Sequence, residues 1–226
     1  MSAGERAAPA RAGIRRRVGA ELLAFGRELE ESGAAQVGSS FTGDDEADAF
    51  LTACPEAFLI GVLFTQGIPA ERAWAGPWLL RSRLGHFDLE RLAGEPAMVA
   101  SALQRPPMLH RFKRTLPKWI SSAARRLIDE YAGDATRIWP DGDHVLQVTE
   151  RLATFDGIGR KKAVMAVEIL TRHLGVDLAG RECGQVAYDV QVRRVFLRRG
   201  VVDRSRPRLP RSALRRRERS TLPHGS

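Results

Sequence analysis

Between Leu146 and Leu174 the chain reads as two helices joined by five residues, Phe155-Asp156-Gly157-Ile158-Gly159, with Arg160-Lys161-Lys162-Ala163 opening the second helix. No other stretch limits the backbone so tightly. Two glycines around one apolar residue permit a tight turn with positive φ. Ile158 can then plug between the helices while the N–H groups of the turn face outward. Such amides, at the positive end of a helix dipole, suit a phosphate oxygen. Arg160, Lys161 and Lys162 add cationic charge in the same first turn, where it opposes the dipole and costs local stability. That cost points to an anion as the partner of the turn. A helix C-cap glycine followed by a new helix is the plain alternative, and the Arg-Lys-Lys-Ala run weighs against it.

The rest of the chain agrees with an all-α fold, a bundle of short helices with short loops. Leu22, Phe25 and Leu29 recur at helical spacing over 18–31. Asp45 or Asp44 caps a helix carrying Phe50, Leu51, Phe58, Leu59, Val62 and Leu63, in which Pro55 either sits in a first turn or makes a kink. Gln66-Gly67 ends it, and Pro69 opens a helix running through Trp74, Trp78 and Leu79. Asp88 caps a brief helix, Pro96 opens another, and Pro117 starts one to Tyr131. Asp143 caps a helix to Ala153, a further helix spans 160–173, and the last spans about 189–199. No segment of useful length alternates as a strand would, and no repeat is present. Residues 1–13, rich in Ala, Gly, Pro and Arg without periodicity, are expected to be a disordered arm. Residues 204–226 are expected to be a disordered Arg-rich tail.

Charge alone does not identify a partner. Of the net +9, the tail from residue 204 carries +7 and the first seventeen residues +4, which leaves −2 for residues 18–203. The basic balance is therefore a property of the two ends, and basic ends are often only solvated. Arg outnumbers Lys 32 to 4. The chain carries two cysteines, Cys54 and Cys183, too few for a disulfide framework or a four-thiolate cluster. No metal and no cofactor is expected. No apolar run approaches a membrane span, and no apolar stretch follows the N-terminal arginines as a secretory signal would require. The expected setting is cytoplasmic and nucleoid-associated, with no membrane partner and a monomeric state.

FDGIGRKKAVMAVEIL resembles the helix-hairpin-helix of the endonuclease III superfamily of DNA glycosylases, whose hairpin reads apolar-Pro-Gly-apolar-Gly-Arg-Lys-Thr-Ala. That family follows the hairpin with a Gly/Pro-rich loop and an Asp before a helix. Here GVDLAGRECGQ precedes VAYDVQVRRVF, which places Asp189 at the corresponding position. The stretch AFLIGVLFTQGIPAERAW is similar to the family's helix ending in a Gln that fills the gap left in the duplex, which points to Gln66. The resemblance covers roughly Ala49 to Arg199. Asp156 stands where the family has Pro, and the family's four-cysteine iron–sulfur loop has no counterpart.

The resemblance implies two helical lobes around a DNA-binding cleft. One is a helical domain over 46–174 with the helix-hairpin-helix at about 144–173. The other, over 14–45 plus 175–203, is reduced, with Leu22, Phe25 and Leu29 expected to pack against Val192, Val195 and Phe196. It implies base-excision repair on double-stranded DNA containing a damaged or modified base. Lys161 falls where bifunctional members keep their catalytic lysine. A neutral amine there can attack C1′ and form a Schiff base, giving AP-lyase activity by β-elimination; desolvation and the neighbours Arg160 and Lys162 would favour the neutral form. Asp189 would assist deprotonation and stabilise oxocarbenium character. A plain phosphate contact for Lys161 and a helix cap for Asp189 are the competing roles.

A glycosylase must also flip its target and fill the hole. The loop Leu109-His110-Arg111-Phe112-Lys113-Arg114 offers Phe112 as an apolar wedge, with Leu109 the second choice, among phosphate-binding cations Arg111 and Lys113. The hairpin residues Gly157, Ile158, Gly159, Arg160 and Lys162 complete the expected DNA contacts. A non-catalytic, sequence-independent DNA-binding module built on the same hairpin is the alternative. The Lys161–Asp189 pair discriminates, since a pure binder does not need it.

Overall fold

A computed structural model describes residues 3–32, 40–183 and 190–199. The protein is mostly helical, and no strand occurs among the described residues. The eleven α-helices among them are α1 (Ala3–Glu31), α2 (Asp45–Ala53), α3 (Pro55–Phe64), α4 (Ala70–Trp74), α5 (Gly76–Leu84), α6 (Leu89–Gly94), α7 (Pro96–Gln104), α8 (Thr115–Tyr131), α9 (Val145–Ala153), α10 (Arg160–Arg172) and α11 (Val190–Arg198). No single helix among the described residues is long and apolar enough to cross a membrane.

The chain divides into two compact units. Of the described residues, 3–32 and 190–199 belong to one, and 40–183 belong to the other. The smaller unit holds α1 and α11. α1 is one helix from Ala3, where the sequence suggests a loose arm up to residue 13; the alanines and arginines there are strong helix formers and need no apolar stripe to wind. Leu22, Phe25 and Val195 are exposed, so the expected apolar seam between α1 and α11 is not made by these side chains. Val192 lies outside the described side chains.

The larger unit is built around α3. Its sequence PEAFLIGVLF is apolar on every side, and each residue from Ala57 to Phe64 is buried, as a helix surrounded by others requires. Full burial contributes about 1.5–3 kcal/mol for each large aliphatic or aromatic side chain, so α3 is the main apolar anchor of the unit. Asp44 caps α2, its carboxylate accepting from the N–H groups of Glu46 and Ala47, both at 3.0 Å. Pro55 takes the first turn of α3, and α2 meets α3 at 116°.

The helix expected from Pro69 through Leu79 is broken in two. Pro69 precedes α4 rather than opening it, and Pro77 restarts the chain as α5. The break lets Gly76 lie on the Phe64 ring, where a β-carbon would come within 2.3 Å of Cδ1. Residues 40–45 and 175–183, expected in the smaller lobe, belong to the larger unit. The Phe41 ring sits 5.8 Å from Trp74 and 5.5 Å from His173, and Ala179 exchanges backbone hydrogen bonds with Asp143 and Val145. That pairing holds His144 extended, so His144 and not Asp143 caps α9; its ring accepts from the Leu146 N–H at 3.2 Å. Asp143 instead pairs with Arg151.

α8 is strongly amphipathic and lies against α3, α6 and α7. It buries Leu116, Ile120, Ala123, Ala124 and Leu127. α9 and α10 pack against each other, with the turn between them resting on α8.

Candidate functional site

The turn from Thr154 to Gly159 is tied down at nearly every residue. The Phe155 N–H donates to Leu152 O at 3.2 Å, and the Ile158 N–H donates to Phe155 O at 3.0 Å. Ile158 is buried, as expected of a plug. From α8, Ser122 Oγ donates to the Asp156 carboxylate at 2.9 Å. Arg126 donates to Thr154 O at 2.9 Å and lies 4.8 Å from the Phe155 ring centroid. The residue that replaces the resembled family's proline is thus an anchor to α8.

The two glycines have different reasons. Gly157 has φ +83 and lies on the Trp119 indole, where a β-carbon would come within 2.4 Å of Cδ2. Gly157 supplies the positive φ of the tight turn, and the Gly159 backbone is extended, with φ −82 and ψ 169. A β-carbon at Gly159 would meet no protein atom within 4 Å. Neither conformation nor packing within the protein calls for glycine there. Gly159 is the N-cap of α10 and supplies no side chain to cap it.

An open cleft of about 550 Å³ adjoins this end of α10. Thr65, Gln66 and Gly67, which follow α3, line one side; Gly157, Gly159, Arg160, Lys161, Lys162 and Met165 line the other. Gln66 and the glycine turn, singled out separately in the sequence, therefore share one cleft. Gln66, Arg160 and Lys161 are exposed and Lys162 is half-buried. Arg111 reaches the same place: its Nη1 lies 3.4 Å from Gly67 O, and its guanidinium carbon 3.1 Å from where a β-carbon of Gly67 would be.

Two side chains close the end of α3. Lys162 Nζ donates to Leu63 O at 2.9 Å and lies 5.7 Å from the Trp119 ring centroid. His110 is buried and its Nδ1 accepts from the Phe112 N–H at 3.1 Å, so its proton resides on Nε2, 3.2 Å from Phe64 O. The last carbonyls of a helix have no partner within it. Leaving one unpaired in a dry setting costs about 1–3 kcal/mol. Burial brings the Lys162 ammonium down to about 8. Burial also holds the His110 imidazole below the ordinary histidine value. Backbone hydrogen bonds to Phe64 and Gln66 oppose that shift, and the charges of Lys162 and Arg111 reinforce it. Lys162, expected only as a DNA contact, is thus a half-buried amine bonded to the protein's own backbone.

The loop after α7 is braced by arginines. Arg83 donates to Ala102 O and Arg105 O at 2.8 and 2.7 Å and to Pro107 O at 2.6 Å. Leu109 is buried in the core, which removes it as a wedge. Phe112 is half-buried against the core, its ring 5.2 Å from His110 and 4.9 Å from the Arg111 guanidinium. Lys113 is exposed. His110 and Trp119 were not foreseen as site residues; a histidine beside an Arg-Phe-Lys-Arg run and a tryptophan one turn into α8 are the only sequence signals for them.

Asp189 lies outside the described residues. No group of His, Cys, Asp and Glu side chains among the described residues could hold a metal ion. Cys54 is a poor nucleophile, burial pushing its thiol up to about 11. The chain matches no family model, no curated protein and no solved structure.

Proposed function

We propose that the protein is a DNA glycosylase of the helix-hairpin-helix type, similar to the endonuclease III superfamily, which excises a damaged or modified base and carries AP-lyase activity. One observation carries this reading: the cleft joins Gln66 to a glycine turn whose following helix begins, without a side-chain cap, with the exposed cations Arg160 and Lys161. Backbone amides at the positive end of a helix, with cationic charge beside them, suit a phosphate group. A polar side chain across from them suits the space left by a flipped nucleotide.

In this reading the hairpin grips the backbone, Gln66 enters the stack, and Lys161 supplies the amine. Nitrogen bonds to C1′ as the N-glycosidic bond breaks and the base departs with a proton. Ring opening gives the imine. Loss of a C2′ proton then expels the 3′ phosphate, and water frees the lysine. Asp189 stabilises positive charge as the base leaves. A helix-hairpin-helix and a two-lobed binding cleft are part of the same proposal.

Borohydride reduction of the imine during turnover on a panel of damaged duplexes tests it, because a covalent protein–DNA adduct reports substrate and mechanism together. The reading requires an adduct on at least one lesion. Salt-sensitive duplex binding with no excision of any lesion would mean a non-catalytic DNA-binding protein instead.

A further inference from the structure

Lys162 and His110 come from distant parts of the chain, yet both donate to the last two carbonyls of α3. Lys162 reaches Leu63 O from the first turn of α10, at 2.9 Å, and His110 reaches Phe64 O from the loop after α7, at 3.2 Å. The next residues are Thr65, Gln66 and Gly67, which form one wall of the cleft. The Gln66 N–H donates to Phe64 O as well, at 2.6 Å, so the carbonyl that His110 holds is the one from which the Gln66 turn hangs. Thr65 Oγ1 bonds back to Val62 O at 2.7 Å. From distant parts of the described chain these two donors reach the end of α3, and Arg111 makes a longer contact with Gly67 O, at 3.4 Å.

We propose that Lys162 and His110 are positioning residues: together they fix the end of α3 so that Gln66 is held across the cleft from the glycine turn. Lys162 then serves DNA recognition through Gln66 rather than as a phosphate ligand. It links the two walls directly, standing on α10 and bonding to α3, and its Nζ is engaged with Leu63 O and faces the Trp119 ring. Arg160 and Lys161 are the exposed cations of the same turn. The inference rests on the proposed function for its DNA arm, and its structural arm is independent of that function.

The test uses the full chain and two duplexes, one intact and one with a tetrahydrofuran abasic analogue. Lys162→Met keeps the length and apolar stem but removes the donor. The preference for the abasic duplex should fall about tenfold, the same loss expected of Gln66→Ala, and the double variant should lose no more than either single one. Affinity for the intact duplex and its salt slope should stay as in the wild type. A salt slope reduced by about 0.9 with equal loss on both duplexes would mark Lys162 as a phosphate ligand and overturn the proposal. Additive losses with Gln66→Ala would overturn it too.

Amide hydrogen exchange of the free protein is the second arm. Exchange at Thr65–Gly67 should quicken in Lys162→Met while the middle of α10 stays protected; unchanged exchange there contradicts the brace whatever the DNA result. A wild type that shows no abasic preference overturns the DNA arm and the proposed function together, and leaves the exchange arm to decide the brace. Should Lys162→Met fail to fold, His110→Gln is measured in the same way, and full retention of the abasic preference and of protection at Thr65–Gly67 would overturn the proposal.

Discussion

The Trp119 indole lies against the Gly157 backbone so closely that a β-carbon at Gly157 would come within 2.4 Å of Cδ2. This contact seats the turn between α9 and α10 on α8. With φ at +83 as well, the position excludes side chains twice over. Gly157→Ala should cost about 2–5 kcal/mol, from the left-handed backbone and from overpacking. Gly159→Ala should change stability by no more than about 0.5 kcal/mol, because a β-carbon there meets nothing. It should nevertheless weaken DNA binding by about tenfold or more, the loss of one hydrogen bond to a charged group. Urea unfolding and duplex titration of both variants check the contrast; equal effects of the two on stability would contradict it.

α8 ends on Ala132, whose φ of 53 is left-handed, and Gly133 follows with φ 77. A side chain at Ala132 is held in a conformation that costs about 1–2 kcal/mol relative to glycine. Ala132→Gly should therefore raise stability by about 1 kcal/mol, offset in part by the greater freedom of the unfolded chain. Denaturant midpoints at constant slope measure it, and a destabilised variant would contradict the expectation.

Lys162 titrates at about 8 in the folded protein against 10.5 ordinarily. Between those values the unfolded chain binds the proton and the folded one does not, so stability rises with pH through this window. The stability difference, wild type minus Lys162→Met, should grow in favour of the wild type from pH 7 to pH 10. Cys54, raised by burial to about 11, acts in the opposite direction, and it cancels because both proteins carry it. His110, held below its ordinary 6.5, gives stability that is full above that value and falls away on the acid side. His110→Gln should flatten that acid limb. Parallel pH profiles for each variant and the wild type would contradict these assignments.

Much of the helix order can be read from caps and prolines, because Asp44, Pro55, Asp88 and Pro96 act on their immediate neighbours. What was misread depends on partners far along the chain. The α4–α5 break serves the packing of Gly76 on Phe64, and the His144 cap follows from pairing with Ala179; neither leaves a local pattern. The start of α1 is invisible to periodicity because Ala and Arg carry helix propensity without an apolar stripe. Both walls of the cleft were singled out from residues, but Lys162 lies 99 positions from the carbonyl it holds. No spacing rule predicts that contact. The misplaced wedge Leu109 has the same origin, since burial of a loop leucine is decided by the core around it.

Removal of residues 204–226 takes away eight arginines. Duplex affinity should then fall less steeply with salt, since fewer counterions are released on binding. Selectivity for the abasic duplex should survive, because the cleft is assembled by residues 65–67 and 157–165. Titrations over a range of salt concentrations, with and without the tail, measure both quantities. Loss of all lesion preference in the shortened chain would contradict this division of labour.

In the proposed function the cleft does covalent chemistry on DNA through the first turn of α10. Borohydride trapping on a duplex with a natural abasic site tests it most directly, with wild type, Lys161→Ala and Lys162→Met side by side. The wild type should give an adduct, Lys161→Ala none, and Lys162→Met a reduced but present adduct. An adduct that persists in Lys161→Ala, or no adduct from a wild type that binds the duplex, would contradict it.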